Sequence, residues 1–202
     1  MKHQPYMNLR REAEILRDEG NYDRTTGQTN PVIFENCVEL LIETEGLPPV
    51  LWDPFFGHLQ SADVRFELCD EIGVKLIAHD IASNDERVFA VDSTKVGPSQ
   101  EIGGIIFHPP YFGSLEFSDK PGEISLVEDL NTYILLLSNA LRLGVESLCS
   151  GGVLCGIARR YRHLGKEIRL DEIFLDIFYK SEFSLFQVWS SEPDVILVLR
   201  HE

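Results

Sequence analysis

The 202-residue sequence has no apolar run near the roughly 20 residues that a membrane-crossing helix needs. Its most apolar stretch, 133–137, is broken at once by Ser138 and Asn139. The opening residues, Lys2, His3, Gln4 and Pro5 among them, lack the apolar centre of a secretory leader. Cysteine is sparse, and Cys37, Cys69, Cys149 and Cys155 form no Cys-x-x-Cys pair. That argues against a disulfide framework or a zinc site, and the expectation is buried thiols in a reducing cytoplasm. The histidines show no metal-ligand spacing, and neither a Ser-His-Asp arrangement nor a Walker-type phosphate loop is present. Internal repeats and low-complexity segments are missing too. Positive charge is in short supply, with 18 Lys and Arg against 33 Asp and Glu and a net charge of −15. Such a balance works against broad attraction to nucleic acid.

At 44% hydrophobic residues the chain can bury one sizeable core. The reading is a polar N-terminal extension over 1–29 and a single domain over 30–202. Apolar residues at helical spacing (Ile33, Phe34, Cys37, Leu40, Leu41) predict a helix over 32–45, ended by Gly46 and Pro48-Pro49. Further helices are predicted over 62–72, 123–143 and 170–179. Strands are predicted over 50–52, 74–78, 87–91, 104–107, 153–158, 185–189 and 195–199. The last two are joined by 190–194, too short for a parallel crossover, so they must form an antiparallel hairpin. Alternating strands and helices of this kind make an α/β three-layer sandwich.

Two strand ends stand out. Trp52-Asp53-Pro54-Phe55-Phe56-Gly57 follows the first strand, and His108-Pro109-Pro110-Tyr111 follows Ile105-Ile106-Phe107. Two successive prolines remove two N–H donors and set φ, so the strand must stop at His108. The chain there offers an imidazole, rigid carbonyls and an aromatic face together. Open α/β sheets bind ligands outside the carboxyl ends of their strands. Gly57 allows a tight turn and close backbone approach to a ligand. Asp80 and Asp92 end the second and third strands. Each acid alone is a common cap or turn residue, but three acids at three successive strand ends point to a ligand.

Asp-Pro-Phe-x-Gly after one strand and x-Pro-Pro-Tyr after a later one resemble the S-adenosylmethionine-dependent methyltransferases of exocyclic amino groups in DNA, the adenine-N6 and cytosine-N4 enzymes. The resemblance covers about 30–202. It implies a seven-stranded, mostly parallel, Rossmann-like methyltransferase sheet with a C-terminal antiparallel hairpin. It also implies S-adenosyl-L-methionine as cofactor, held by Asn30, Pro31 and Phe34 at the methionine end, by Asp53, Phe55 and Gly57 in the first turn, by Asp80 on the ribose and by Asp92 on the adenine amine. In the catalytic tetrad His108, Pro109, Pro110 and Tyr111, the His108 ring and the Pro109 carbonyl would accept from the target amine. Tyr111 and Phe112 would stack on a flipped or single-stranded base.

His108 stands where the family carries Asp, Asn or Ser, and Leu59 where it carries a second glycine. Gly151-Gly152 matches the family's turn before the fifth strand. The strip 159–169 has five Lys and Arg against one Glu, and Arg159, Arg160 and Arg162 are expected on DNA phosphates. With no separate target-recognition domain, selectivity is expected from 112–124, from the strip, or from a homodimer or second subunit. Two alternatives stay open: an RNA amino-methyltransferase, and a weakly active methyltransferase-like subunit that binds a partner protein.

Overall fold

The computed structural model describes residues 31–44, 46–57, 62–114, 116, 118–191 and 194–202. The expected N-terminal extension, Asn30 and Leu59 lie outside the described residues. In chain order the elements are α1 (Pro31–Glu43), β1 (Val50–Asp53), α2 (Ala62–Ile72), β2 (Lys75–His79), β3 (Val88–Phe89), β4 (Ile102–Phe107), α3 (Leu130–Val145), β5 (Leu148–His163), β6 (Lys166–Arg169), α4 (Leu170–Lys180), β7 (Phe183–Ser191) and β8 (Asp194–His201). A 3-10 turn at Ile124–Leu126 precedes α3.

One sheet runs in the order β3-β2-β1-β4-β5-β8-β7, with β6 paired to β5 beside this path. The first five strands of that order are parallel, and β8 is antiparallel to both of its neighbours. Strand geometry sends successive side chains to opposite faces. Leu51 and Ile106 accordingly join Phe34, Cys37 and Leu41 of α1 on one face. Trp52, Ile105 and Phe107 join Leu137 and Leu141 of α3 and Phe174 and Phe178 of α4 on the other. Every residue of β4 is buried, as in a central parallel strand covered on both faces. This is the expected three-layer α/β sandwich.

The strand count differs from the expectation: there are eight described strands, not seven. β5 runs for 16 residues, far beyond the predicted 153–158, and turns back on β6. The predicted basic loop 159–169 is therefore a β-hairpin. Its turn is made by Leu164 and Gly165, both at positive φ, the geometry that matches the twist of paired strands. The predicted helix over 123–143 is likewise divided, because Asp129 caps a new start by accepting from the Asn131 and Thr132 N–H groups.

Below the first strand end lies a buried ion pair. Arg65 of α2 and Asp53 of β1 are both fully buried, with 3.2 Å between Nη1 and Oδ2. Arg65 also donates to the Phe56 carbonyl at 2.6 Å, and its guanidinium sits 3.5 Å from the Phe56 ring centroid. Asp53 accepts from the Phe55 N–H at 3.1 Å. Burial pushes the Asp53 carboxyl up to about 6, against the lowering effect of Arg65.

Arg65→Ala should cost about 3–5 kcal/mol at pH 7, because the buried Asp53 must then either stay charged with no cation or take up a proton. The folded value of Asp53 already lies above its ordinary 3.8, so its contribution is present below about 3.8 and lost as pH rises through about 6. Removing the cation raises that folded value further. Urea denaturation should therefore show a smaller deficit for Arg65→Ala at pH 5 than at pH 7.

Candidate active site

The carboxyl ends of β1, β2, β3 and β4 lie along one edge of the sheet, and of the residues expected to bind ligand Gly57, Asp80 and Asp92 follow these ends. Gly57 closes the turn after β1 at φ +76, a conformation that suits glycine. Its N–H donates to Asp80 Oδ2 at 3.0 Å, and Asp80 Oδ1 accepts from the Ala82 N–H at 2.8 Å. The acid after β2 thus ties the loops after β1 and β2 together. Asp92, after β3, accepts from the Thr94 N–H and hydroxyl at 3.0 and 2.6 Å and pairs with Lys95 at 2.7 Å. Burial opposes its ionisation, but these bonds together hold its carboxyl below the ordinary value.

Asp53 and Phe34 are placed differently from the expectation. Both are fully buried, Asp53 on Arg65 and Phe34 with its ring centroid 5.7 Å from the same guanidinium. They support the first turn from beneath and do not face its opening. Phe55 sits edge-on to Phe107 at 5.5 Å. Pro31 opens α1.

β4 ends where two prolines were predicted to end it, and the next four residues are closely held. Hydroxyl groups take three successive carbonyls. Tyr133 donates to Pro110 at 3.0 Å, Ser114 to Tyr111 at 2.6 Å and Tyr161 to Phe112 at 2.9 Å. Among the described residues none donates to the Pro109 carbonyl. His108 Nε2 lies 3.2 Å from the Tyr111 hydroxyl. That hydroxyl lies 3.5 Å from Asp194 Oδ1, and Arg159 grips both Asp194 oxygens at 2.8 and 3.1 Å. Burial lowers His108 to about 4 and raises Tyr111 above the ordinary phenol value, so both are neutral at pH 7.

Tyr111 stacks on Tyr161, with centroids 5.6 Å apart and planes 16° apart, so one of its faces is already covered. Phe112, expected to meet a base, is buried against Tyr133 and His163. A side chain is packed there because Gly113, at φ +63, lets the His163 ring pass where a Cβ would otherwise stand. Of the three arginines expected on phosphates, Arg159 is held by Asp194 and Arg160 by Asp171 and Glu172. Arg162 is exposed on the hairpin. Among the described residues no group of His, Cys, Asp and Glu could hold a metal ion, and no helix is long and apolar enough to cross a membrane.

The sequence reading missed Arg65, Tyr133, Tyr161 and Asp194. Tyr161 alternates with Arg160 and Arg162, a period-two signal that a strand continues. Asp194 lies opposite Arg159 in the β5–β8 register, a cross-strand charge pair that is visible only once that pairing is known. Arg65 carried no local signal beyond being a cation within a short helix.

No family model matches the sequence, and no curated protein matches it. Solved structures do. The 1,6-didemethyltoxoflavin-N1-methyltransferase of Burkholderia thailandensis, solved with 1,6-didemethyltoxoflavin and S-adenosylhomocysteine, superposes with a TM-score of 0.54 at 13% identity, covering 100% of this chain and 90% of that one. The N-methyltransferase NodS of Bradyrhizobium japonicum WM9, in complex with S-adenosylhomocysteine, gives 0.55 at 13% identity, covering 98% of each chain. The sugar N-methyltransferase KedS8 of Streptoalloteichus sp ATCC 53650 gives 0.54 at 12% identity, covering 84% of this chain and 87% of that one. With the strand order and the reversed β8, these likenesses establish the Rossmann-like methyltransferase fold.

Proposed function

We propose that this chain transfers a methyl group from S-adenosylmethionine to an exocyclic amine on a planar ring, with a nucleobase in DNA as the substrate that the tetrad favours. The carrying observation is the fastened 110–112 backbone, which directly follows a neutral His108 and Pro109 at the end of β4. An aryl amine needs no strong base. Its nitrogen lone pair is delocalised into the ring, so two acceptors aimed at its hydrogens draw it towards tetrahedral geometry and align it for attack.

The cofactor, when bound, supplies an electrophilic methyl on a sulfonium. The residues present fit it. Asp80 and Asp92 are acceptors suited to vicinal hydroxyls and a ring amine, and among the described residues a Cβ at Gly57 would meet only the Phe55 carbonyl, at 4.0 Å. Structural neighbours crystallised with S-adenosylhomocysteine support the same reading. Selectivity would rest with the 112–124 segment, the β5–β6 hairpin or a further subunit.

A small free heteroaromatic amine is the second reading. It is favoured by the ion pairs that occupy Arg159 and Arg160, which leave the hairpin less cationic than its sequence.

Asp80→Ala should weaken S-adenosylmethionine binding about tenfold, or 1.4 kcal/mol, by calorimetry. Unchanged affinity would remove Asp80 from the site. Tritiated methyl transfer to DNA, RNA and free heteroaromatic amines tests the substrate class, and incorporation into none of them ends the proposal.

His108→Ala and Tyr111→Ala should each reduce transfer at least about 100-fold while cofactor affinity holds. Only the neutral imidazole accepts a hydrogen bond. The folded value near 4 keeps His108 neutral, so kcat should be flat from about pH 5 upward and fall on approach to 4. An inflection near the ordinary 6.5 would contradict this.

A further inference from the structure

Among the described residues other than glycine, two have positive φ, Leu164 and Glu182. Leu164 sits at the tip of the β5–β6 hairpin, at φ 50, with 89% of its surface in water. A Cβ is strained in that region, so the first residue of such two-residue turns is commonly Asn, Asp or Gly. Burial does not offset the strain here, because the side chain packs against almost nothing. Neither the turn nor the core accounts for a leucine at this tip. Strain kept at an exposed position is a feature of sites that grip another molecule.

The hairpin is fastened to the tetrad. Tyr161 stacks on Tyr111 and donates to the Phe112 carbonyl, and the His163 ring packs on Phe112 and across Gly113. Leu164 follows His163 directly, roughly 10 Å of strand beyond Tyr161. Paired residues of antiparallel strands share a face. Lys166, opposite His163, therefore stands on the face that meets the tetrad loop, and Arg162 stands on the other. Both are exposed, and among the described residues neither makes an ion pair. The tip is a narrow blade, with an apolar point and an unpaired cation on each flank.

We propose that this hairpin enters the major groove of duplex DNA, with Leu164 wedged at the base step beside the target and Arg162 and Lys166 on phosphates of opposite walls. A two-stranded ribbon fits that groove, whose walls are lines of phosphate. An apolar side chain pushed between base pairs unstacks them. The target must leave the stack before its amine can reach the tetrad. Because the hairpin is locked to the 111–113 backbone, wedge and tetrad keep a fixed separation. The inference rests on the proposed function for its substrate, a nucleobase in DNA, and adds how that base is released.

Leu164→Asn tests it, since asparagine suits the turn and makes no apolar wedge. The variant should melt at the wild-type temperature or higher. Tritiated methyl transfer to mixed-sequence duplex DNA should fall about tenfold, while transfer to the same DNA as single strands holds. Leu164→Met, apolar again, should keep the duplex rate. Arg162→Ala and Lys166→Ala should each lower the log–log salt slope of duplex binding by about 0.9.

Wild-type rates on both forms of DNA for Leu164→Asn overturn the inference, as does an equal loss on both. A lowered melting temperature overturns it too, because the leucine would then serve the fold. An unchanged salt slope in both cation variants overturns the groove contact. A wild-type protein that methylates neither form of DNA overturns the proposed function, and the wedge is then read from binding alone. In duplexes carrying 2-aminopurine in place of adenine, fluorescence should rise with wild-type protein and not with Leu164→Asn. The same response from both proteins, or none from either, overturns the inference.

Discussion

The buried pair between Arg65 and Asp53 is the contact on which the turn after β1 depends. Arg65 reaches from α2 into the end of β1, where it binds the strand's last carboxylate and the carbonyl of Phe56 three residues later. It thereby holds helix, strand and turn in one geometry. Gly57 follows directly, and its N–H fixes Asp80 after β2. A single guanidinium in the core is thus linked, through the turn it holds, to the acid after β2. Ion pairs of this kind seldom add net stability over a well-packed apolar pair, and their value lies in allowing one arrangement only. A turn that must present backbone N–H groups and carboxylates to a ligand has use for that restriction.

Much of this was legible from residue order. The helix over 62–72 lies where its spacing and Gly73 put it, and the strand ends at Trp52-Asp53 and at His108 follow from turn chemistry and paired prolines. These signals are local, so local reasoning reaches them. The overrun of β5 was not legible, because a basic run reads as solvated loop until β6 is known to lie beside it. Asp129 was passed over for a similar reason: apolar periodicity continues across it, and only the cap geometry shows that a helix begins there. Phe34 and Phe112 were assigned to ligands by motif although both serve packing. Burial places Phe34 and Phe112 in the wall beneath the strand ends, which their motifs do not reveal.

Charge shows the difference between composition and arrangement. The hairpin looks strongly cationic in sequence, yet Arg160 is matched by Asp171 and Glu172, and Arg169 by Glu167 and Glu172. Exposed pairs of this sort contribute little stability, about 0–1 kcal/mol each. Their larger effect is on the field around the molecule. They offset locally part of the positive charge that the hairpin's sequence carries.

The position of β8 sets an order of events in time. β7 precedes it in sequence but borders only β8 in the sheet, and β8 lies between β5 and β7. When β7 leaves the ribosome its sole neighbour has not been made. That flank of the sheet must wait for β8, which then enters a slot with pairing to complete on both sides. Asp194 is the first residue of that strand. During synthesis the residues around His108 can gather their backbone early, yet the contacts of Asp194 with Arg159 and Tyr111 form only once β8 is made.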